Sequence, residues 1–473
     1  MKKIVSLLLV FCMVLSLTVT AFAKAECDCG HVPVIYVVGM GDTIYDYEGE
    51  EPVTVFAPNE AAVKQSIPSI VIAVLGLLTH QYRLFATFAM KAAYIMLGRA
   101  VCDPNGDPRY DTGVEREPLP DKDTHGQFKE DKGDYVFHYD WRLDPLDTAK
   151  QLRKFVLHIE KLTKHSTVSF TCHSMGNIIL ASYLYLYGSD NIEKIVCMSP
   201  AFQGLSIMGS LLSGEADISG KGKEVEMFLL SFMGDSEQDQ KLKTLVRVCY
   251  KLGLVSGLLN CVLQPALTHQ FERVFDECLR EMFAYMPGVW AFVPNEYYER
   301  AKAYTFGDST EYTKLIERID DYHYNVEARL PEILQEAMDN GVGLAILSGY
   351  GISSIPLSIT HTNQADFVID TKYTSIGATC APFGETLPQS HIQSVRDGHD
   401  HISPDFVIDA STCAFPEYTW FVRDQIHFDF PDNYIAFVRW LLDFNGQPTV
   451  HSSAQYPQFL CQDGAETLTA LTK

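Results

Sequence analysis

The run Thr167-Val168-Ser169-Phe170-Thr171 leads into Cys172-His173-Ser174-Met175-Gly176, and that into Asn177-Ile178-Ile179-Leu180-Ala181-Ser182-Tyr183-Leu184. A β-branched run, a polar residue between compact neighbours and an apolar stretch of helical period read as strand, sharp turn and helix. That order constrains the fold more than any other feature. It predicts a strand of an α/β sheet whose last turn lifts one side chain clear of the sheet edge, with a helix N-terminus aimed at the same spot. Gly176 fits the Gly-x-Ser-x-Gly pattern of a nucleophile elbow, whereas Cys172 replaces its first glycine. Taken alone, the pentapeptide also suits a surface serine in a strand-helix turn.

The chain of 473 residues is 47% hydrophobic, enough for one large α/β domain with insertions or for two domains. Lys2-Lys3, the apolar block Ile4 to Val19 and Ala21-Phe22-Ala23 form the basic, hydrophobic and small-residue parts of a secretory leader, expected over residues 1–23. Export follows as the expectation. The formal net charge is −23, and loss of Lys2 and Lys3 makes it more negative. Such acidity disfavours nucleic acid and anionic surfaces as electrostatic partners. Of 12 cysteines, Cys12 falls in the leader and Cys27 and Cys29 follow the cleavage point. The spacings match no familiar zinc pattern, so neither a metal site nor a cofactor is expected.

His31 to Val38 reads as a buried strand entering the loop Gly39-Met40-Gly41-Asp42. Ile67 to Leu78 and Phe85 to Leu97 are apolar but fall short of about 18 uninterrupted apolar residues. Packed helices and a lipid-facing patch are the two readings. Leu146, Ala149, Leu152, Val156, Ile159 and Leu162 recur at steps of three and four, so a helix joins the strand Asp134–Phe137 to the elbow strand. Lys194–Met198 is the next strand. From Phe202 to about Phe306 no clear strand appears, as in a helical cap inserted into a core. The expected division is leader 1–23, core 24–200, cap 201–306 and core 307–473. Strands return at Gly343–Leu347 and Tyr418–Val422, and Asp366-Phe367-Val368-Ile369-Asp370 is echoed by Asp405-Phe406-Val407-Ile408-Asp409.

A serine hydroxyl needs a histidine to take its proton and an acid to orient that histidine. On an α/β core the order is Ser, Asp, His. His427 lies just past the strand at Tyr418–Val422, read here as the last of the sheet. Asp366 and Asp405 both precede it at the head of an echo segment. Position alone leaves both open: Asp405 is nearer the final strand, and Asp366 leaves room for an intervening helix. Asp397-Gly398-His399-Asp400-His401 has cation-binding residue types, but a solvated loop is the simpler expectation. Cys172 is expected in the core.

Several segments together resemble the lecithin:cholesterol acyltransferase and lysosomal phospholipase A2 family of α/β hydrolases. Pro33-Val34-Ile35-Tyr36-Val37-Val38-Gly39-Met40-Gly41 looks like that family's oxyanion strand and loop. Tyr139-Asp140-Trp141-Arg142 is similar to the segment before its elbow, and His173-Ser174-Met175-Gly176-Asn177 to the elbow itself. Met286-Pro287-Gly288-Val289-Trp290, with Pro294 and Tyr297-Tyr298, looks like its cap-end segment. Asp366 to Thr371 resembles its acid motif. The resemblance implies Asp366 as the triad acid, with Asp405 in reserve, since Ala365 replaces the usual glycine and the interval to His427 is long.

The resulting expectation is a secreted α/β hydrolase with a mostly parallel sheet and a helical cap. Ser174, Asp366 and His427 form its triad, and the backbone amides of Met40 and Met175 form its oxyanion hole. Asp140 and Arg142 are expected as a buried ion pair under the elbow. Lipid esters, at a membrane or micelle surface, are the expected substrates, cleaved or transferred. No nucleic acid and no stable protein partner is inferred. The rivals are a peptidase or small-ester hydrolase and an inactive binding protein on the same fold.

Overall fold

The computed structural model describes residues 27, 29–128, 132–215, 237–253, 261, 263–354, 362–395, 398–463 and 467–472. The expected leader lies outside them. Eight strands form the central sheet: β1 (Val34–Val37), β2 (Tyr135–Phe137), β3 (Val168–His173), β4 (Ile192–Met198), β5 (Gly343–Tyr350), β6 (Thr419–Arg423), β7 (Phe459–Asp463) and β8 (Thr467–Ala470). They lie in the order β8-β7-β6-β5-β4-β3-β1-β2. All neighbours are parallel except β7 and β8. With helices on both faces, this is an α/β-hydrolase fold.

The unbroken apolar runs of the central strands follow from burial on both faces. Ile35, Val37, Phe170, Ile195 and Ile346 point into one core with helices α3 (Pro145–Thr163) and α4 (Gly176–Tyr187). Val34, Tyr36, Val196, Leu347 and Trp420 point into the other, against Phe437, Val438 and Leu441 of a helix at Asp432–Asp443. Helix α3 starts where Asp144 Oδ1 accepts the Leu146 amide at 2.8 Å and Pro145 takes the first turn, a position where a missing N–H costs nothing. It stops at Lys164, in the left-handed region at φ 59°. Leu146, Ala149, Leu152, Val156 and Ile159 are buried, as their spacing predicts, and Leu162 is half-buried.

One feature differs from the sequence reading, and a second bears on the two alternatives it left open. The strand before His427 is not the last of the sheet, because β7 and β8 extend it beyond β6. These strands are short and half polar, so their pattern does not stand out from the surrounding loops. Helices α1 (Glu60–Leu78) and α2 (Tyr82–Leu97) form a packed hairpin, but α1 is turned inside out. Ser66, Ser69, Ala73 and Gly76 are its buried residues, while Val63, Ile67, Ile70, Val71, Val74, Leu75 and Leu78 are exposed. By length and composition α1 is apolar enough to cross a membrane.

Between β4 and β5 every described element is helical, from Ser206–Leu212 to Leu330–Asp339. A second excursion, between β5 and β6, carries both aspartate echoes.

Candidate active site

β1 lies between β2 and β3, so the chain leaves β1 in one direction and returns on its other side. Crevices form at the carboxyl ends of strands where the order reverses in this way. Ser174 sits there, one residue past β3, with φ 51°. Its amide donates to the Met198 carbonyl at 3.1 Å, and Asn177 Nδ2 donates to the carbonyls of Cys172 and Ser174 at 3.1 Å. The turn is thus tied to β4 and to the first turn of α4. Gly176 permits it: a Cβ there would stand 2.3 Å from the Val37 carbonyl oxygen. Cys172 is fully buried, paired with Val37 and Cys197 across the sheet, and burial pushes its thiol well above the usual range. A thiol held neutral in this way is a poor nucleophile.

His427 and Asp366 meet. His427 Nδ1 lies 2.7 Å from Asp366 Oδ2, and the His427 amide donates to the Asp366 carbonyl at 2.9 Å. Since a carboxylate only accepts, this contact puts a ring proton on Nδ1, so the tautomer that carries a lone pair carries it on Nε2. Asp366 Oδ1 accepts the amides of Val368 and Ile369 at 3.0 and 2.8 Å, so the carboxylate is held from one side and offers its other oxygen to the imidazole. The turn passes through Phe367 at φ 88°. Asp366 reaches this place because β5 carries Gly349, where a Cβ would come within 2.7 Å of Asp366 Cβ. Asp405 instead receives the Tyr350 hydroxyl at 3.1 Å and lies 3.5 Å from Arg423 Nη1. The echo itself is structural: Phe406 also has positive φ, and Asp370 and Asp409 both head short helical turns.

Sequence reasoning missed the residues that hold these groups in place. His173 Nε2 donates to the His427 carbonyl at 3.0 Å, and the two rings lie 4.7 Å apart. Burial, and then the neighbouring His427, pushes the His173 pKa well below the usual imidazole range, so it is a neutral strut. The elbow therefore anchors the histidine loop directly. The Gly39–Met40 loop lies over the serine, since a Cβ on Gly39 would stand 3.1 Å from Ser174 Cβ. Met40 is exposed at this loop, and Met175 is buried at the N-terminus of α4.

The Tyr139–Arg142 segment pins that loop. The Tyr139 hydroxyl donates to the Val38 carbonyl at 3.0 Å, the Tyr139 amide to Asp42 Oδ2 at 3.1 Å, and Trp141 Nε1 to the Asp42 carbonyl at 3.2 Å. Arg142 is fully buried and pairs with Asp140 through Nε at 2.8 Å and Nη2 at 2.5 Å. Its remaining donors reach Ala100 O, Thr112 Oγ1 and Thr112 O. All the guanidinium hydrogens are used. Arg142→Met should therefore cost about 3–5 kcal/mol, because it leaves Asp140 charged and unpaired below the site. Chemical denaturation reads this, and a loss under about 1 kcal/mol would show the pair to be idle.

Residues 128–228 match the family model of lecithin:cholesterol acyltransferase. This part of the chain is lecithin:cholesterol acyltransferase-like. The like segment runs from before β2 through the elbow and β4, and so contains Tyr139–Arg142 and Ser174. Met40, Asp366 and His427 lie outside it. No curated protein matches the chain. Among solved structures, the crystal structure of the Tle4-Tli4 complex matches over 67% of this chain and 75% of that one, at 10% identity and a TM-score of 0.23. A score that low carries no weight for the fold.

Ser174 and His427 are 6% and 1% exposed. A cavity of about 510 Å³ lies behind the Asp42 loop, lined by Asp42, Thr43, His138 and Phe155 among others, and none of Ser174, Asp366 and His427 lines it. Asp397 is outside the described residues. His401 is buried against Gln458 at 2.9 Å, and His399 stacks on His451 with ring centres 3.8 Å apart. His399, Glu417 and His451 bring potential ligand atoms together, as do Cys27, Cys29, His125 and His165.

Proposed function

We propose that the chain is a secreted serine carboxylic-ester enzyme of the lecithin:cholesterol acyltransferase type, acting on lipid esters. The observation that carries this reading is the 2.7 Å contact of His427 with Asp366, on a loop bonded at 3.0 Å to His173, the residue before a serine held at a left-handed strand-helix turn. Ser174 Oγ attacks the acyl carbonyl and passes its proton to His427 Nε2. The backbone amides of Met40 and Met175 receive the oxyanion. His427 then protonates the leaving alcohol, and Asp366 stabilises the imidazolium while it is charged. Water or an alcohol acceptor, deprotonated by His427, releases the acyl group. The first acceptor makes a phospholipase or lipase, the second an O-acyltransferase. Residues 201–306 act as the cap, and the leader over residues 1–23 supports export.

The α1 hairpin supports a lipid surface as the place of work. Small residues face α2 while large apolar ones face outward, the arrangement expected of a helix whose outer neighbour is hydrocarbon. Exposed Ile426 and Phe428 flank His427 and add apolar surface next to the candidate site. Val71→Glu combined with Leu75→Glu should lower turnover of phospholipid vesicles at least about tenfold, since each exposed side chain offers roughly 1.5–3 kcal/mol on burial. Turnover of a short soluble ester should stay the same. Equal loss on both substrates would count against a surface role.

A fluorophosphonate probe tests the central reading, because it needs an activated serine and no known substrate. Labelling should map to the peptide carrying Ser174, and rates on p-nitrophenyl esters should rise with acyl chain length. Labelling elsewhere, or none, would favour a binding protein on the same fold. A preference for the shortest acyl chains would favour a small-ester hydrolase.

A further inference from the structure

Four side chains of metal-ligating type meet at the opposite end of the sheet from Ser174. Cys27 and Cys29 precede β1, His125 precedes β2, and His165 lies between the end of α3 and the start of β3. Their ligand atoms all lie within 4.8 Å of one another. Cys29 Sγ is 3.2 Å from His125 Nε2 and 3.7 Å from His165 Nε2, and Cys27 Sγ is 4.0 Å from His125 Nε2. With Zn–S of about 2.3 Å and Zn–N of about 2.0 Å, a tetrahedral site separates sulfur from nitrogen by roughly 3.5 Å. The observed distances straddle that value.

From this geometry we infer that Cys27, Cys29, His125 and His165 form a structural zinc site that fastens the segment ahead of β1 to the loops ahead of β2 and β3. The surroundings are those of a metal ligand set. His125 Nδ1 lies 2.5 Å from Asp123 Oδ1, which also receives the Tyr135 hydroxyl at 3.0 Å, so Nδ1 carries a proton and Nε2 is the ring nitrogen that faces the sulfurs, placed to ligate a metal. Carboxylate support of this kind fixes the tautomer of zinc-bound histidines. The His31 amide points at Cys29 Sγ from 3.4 Å, a donor suited to a thiolate. The Cys27 amide donates to the Lys164 carbonyl at 3.0 Å, so the backbone already docks where the metal would hold it.

Two thiolates and two imidazoles suit zinc better than calcium or magnesium, which prefer oxygen. Four protein ligands close the coordination sphere and leave no position for substrate, so the role is structural. Sequence spacing concealed the site. Cys27 and Cys29 are local, but their partners lie 96 residues from Cys29 to His125 and 136 residues from Cys29 to His165.

The test uses the full chain, with zinc itself as the probe. Metal analysis after dialysis should find about one zinc per chain that a strong chelator removes, with a fall in thermal midpoint that added zinc reverses. Cobalt in its place should give the intense visible bands of a tetrahedral ion together with a thiolate charge-transfer band. Cys29→Ser should lose both metal and band, Asp123→Asn should weaken zinc about 10–100-fold, and His451→Ala should keep the metal. Protein that holds no zinc and takes none up would overturn the inference, as would a Cys27–Cys29 disulfide. So would zinc that survives Cys29→Ser but leaves with His451→Ala. The serine label is independent of these readouts.

Discussion

Ser174→Ala is expected to lower ester turnover by about 10⁶-fold and to abolish fluorophosphonate labelling while the protein stays folded. The loss is this large because the proposed mechanism makes the hydroxyl the covalent path: without it, only bound water and the proposed oxyanion donors would remain to accelerate the reaction. Folding survives because the turn is built from the backbone. The Ser174 amide bonds to Met198 O and the Asn177 side chain to the Ser174 carbonyl, and the substitution leaves both in place. His427→Ala should match it in rate. The two losses should not add, since the residues act as a unit. Labelling of another serine in Ser174→Ala protein would refute the assignment.

The second large effect separates the two aspartates. Asp366→Asn should lower turnover about 10⁴-fold, because an amide presents the wrong partner to Nδ1 and removes the charge that stabilises the imidazolium. Asp405→Asn should cost less than about tenfold in turnover, with its effect falling on stability. Asp405 is bonded to Tyr350 and near Arg423 rather than to the histidine. Steady-state kinetics of both variants, with circular dichroism as the check on folding, decide between them. Near-normal turnover in Asp366→Asn with collapse in Asp405→Asn would hand the role to the other copy of the echo.

A positioning role for His173 follows from the same geometry, and its signature differs from that of the triad. His173→Phe keeps ring volume but removes the 3.0 Å bond to the His427 carbonyl. It should lower kcat about 10–100-fold, in line with the cost of a slightly misplaced group. Fluorophosphonate labelling should be slowed and not lost. Unchanged kcat would show that Asp366 alone holds the histidine loop.

The sequence by itself determined what local pattern and local chemistry can determine. The β-branched run before Ser174, the glycine after it and the helical period beyond specify strand, turn and helix without help from the rest of the chain. The apolar spacing from Leu146 to Ile159 specifies α3 in the same way. Tertiary structure decided what depends on distant contacts. Residue spacing left Asp366 and Asp405 open; the approach of Asp366 to Gly349 and the pair of amides on its Oδ1 put it against His427. The apolar run from Ile67 to Leu78 fitted packed helices and a lipid-facing patch alike, and only the pairing of α1 with α2 turned its small residues inward. The C-terminal strands became part of the sheet because β6 offered them an edge. Cys27, Cys29, His125 and His165 meet for the same reason: β1, β2 and β3 lie side by side, and strand pairing brings together the segments that precede them. Periodicity reports which face of an element is buried, whereas partner choice across about a hundred residues is set by packing that no single segment contains.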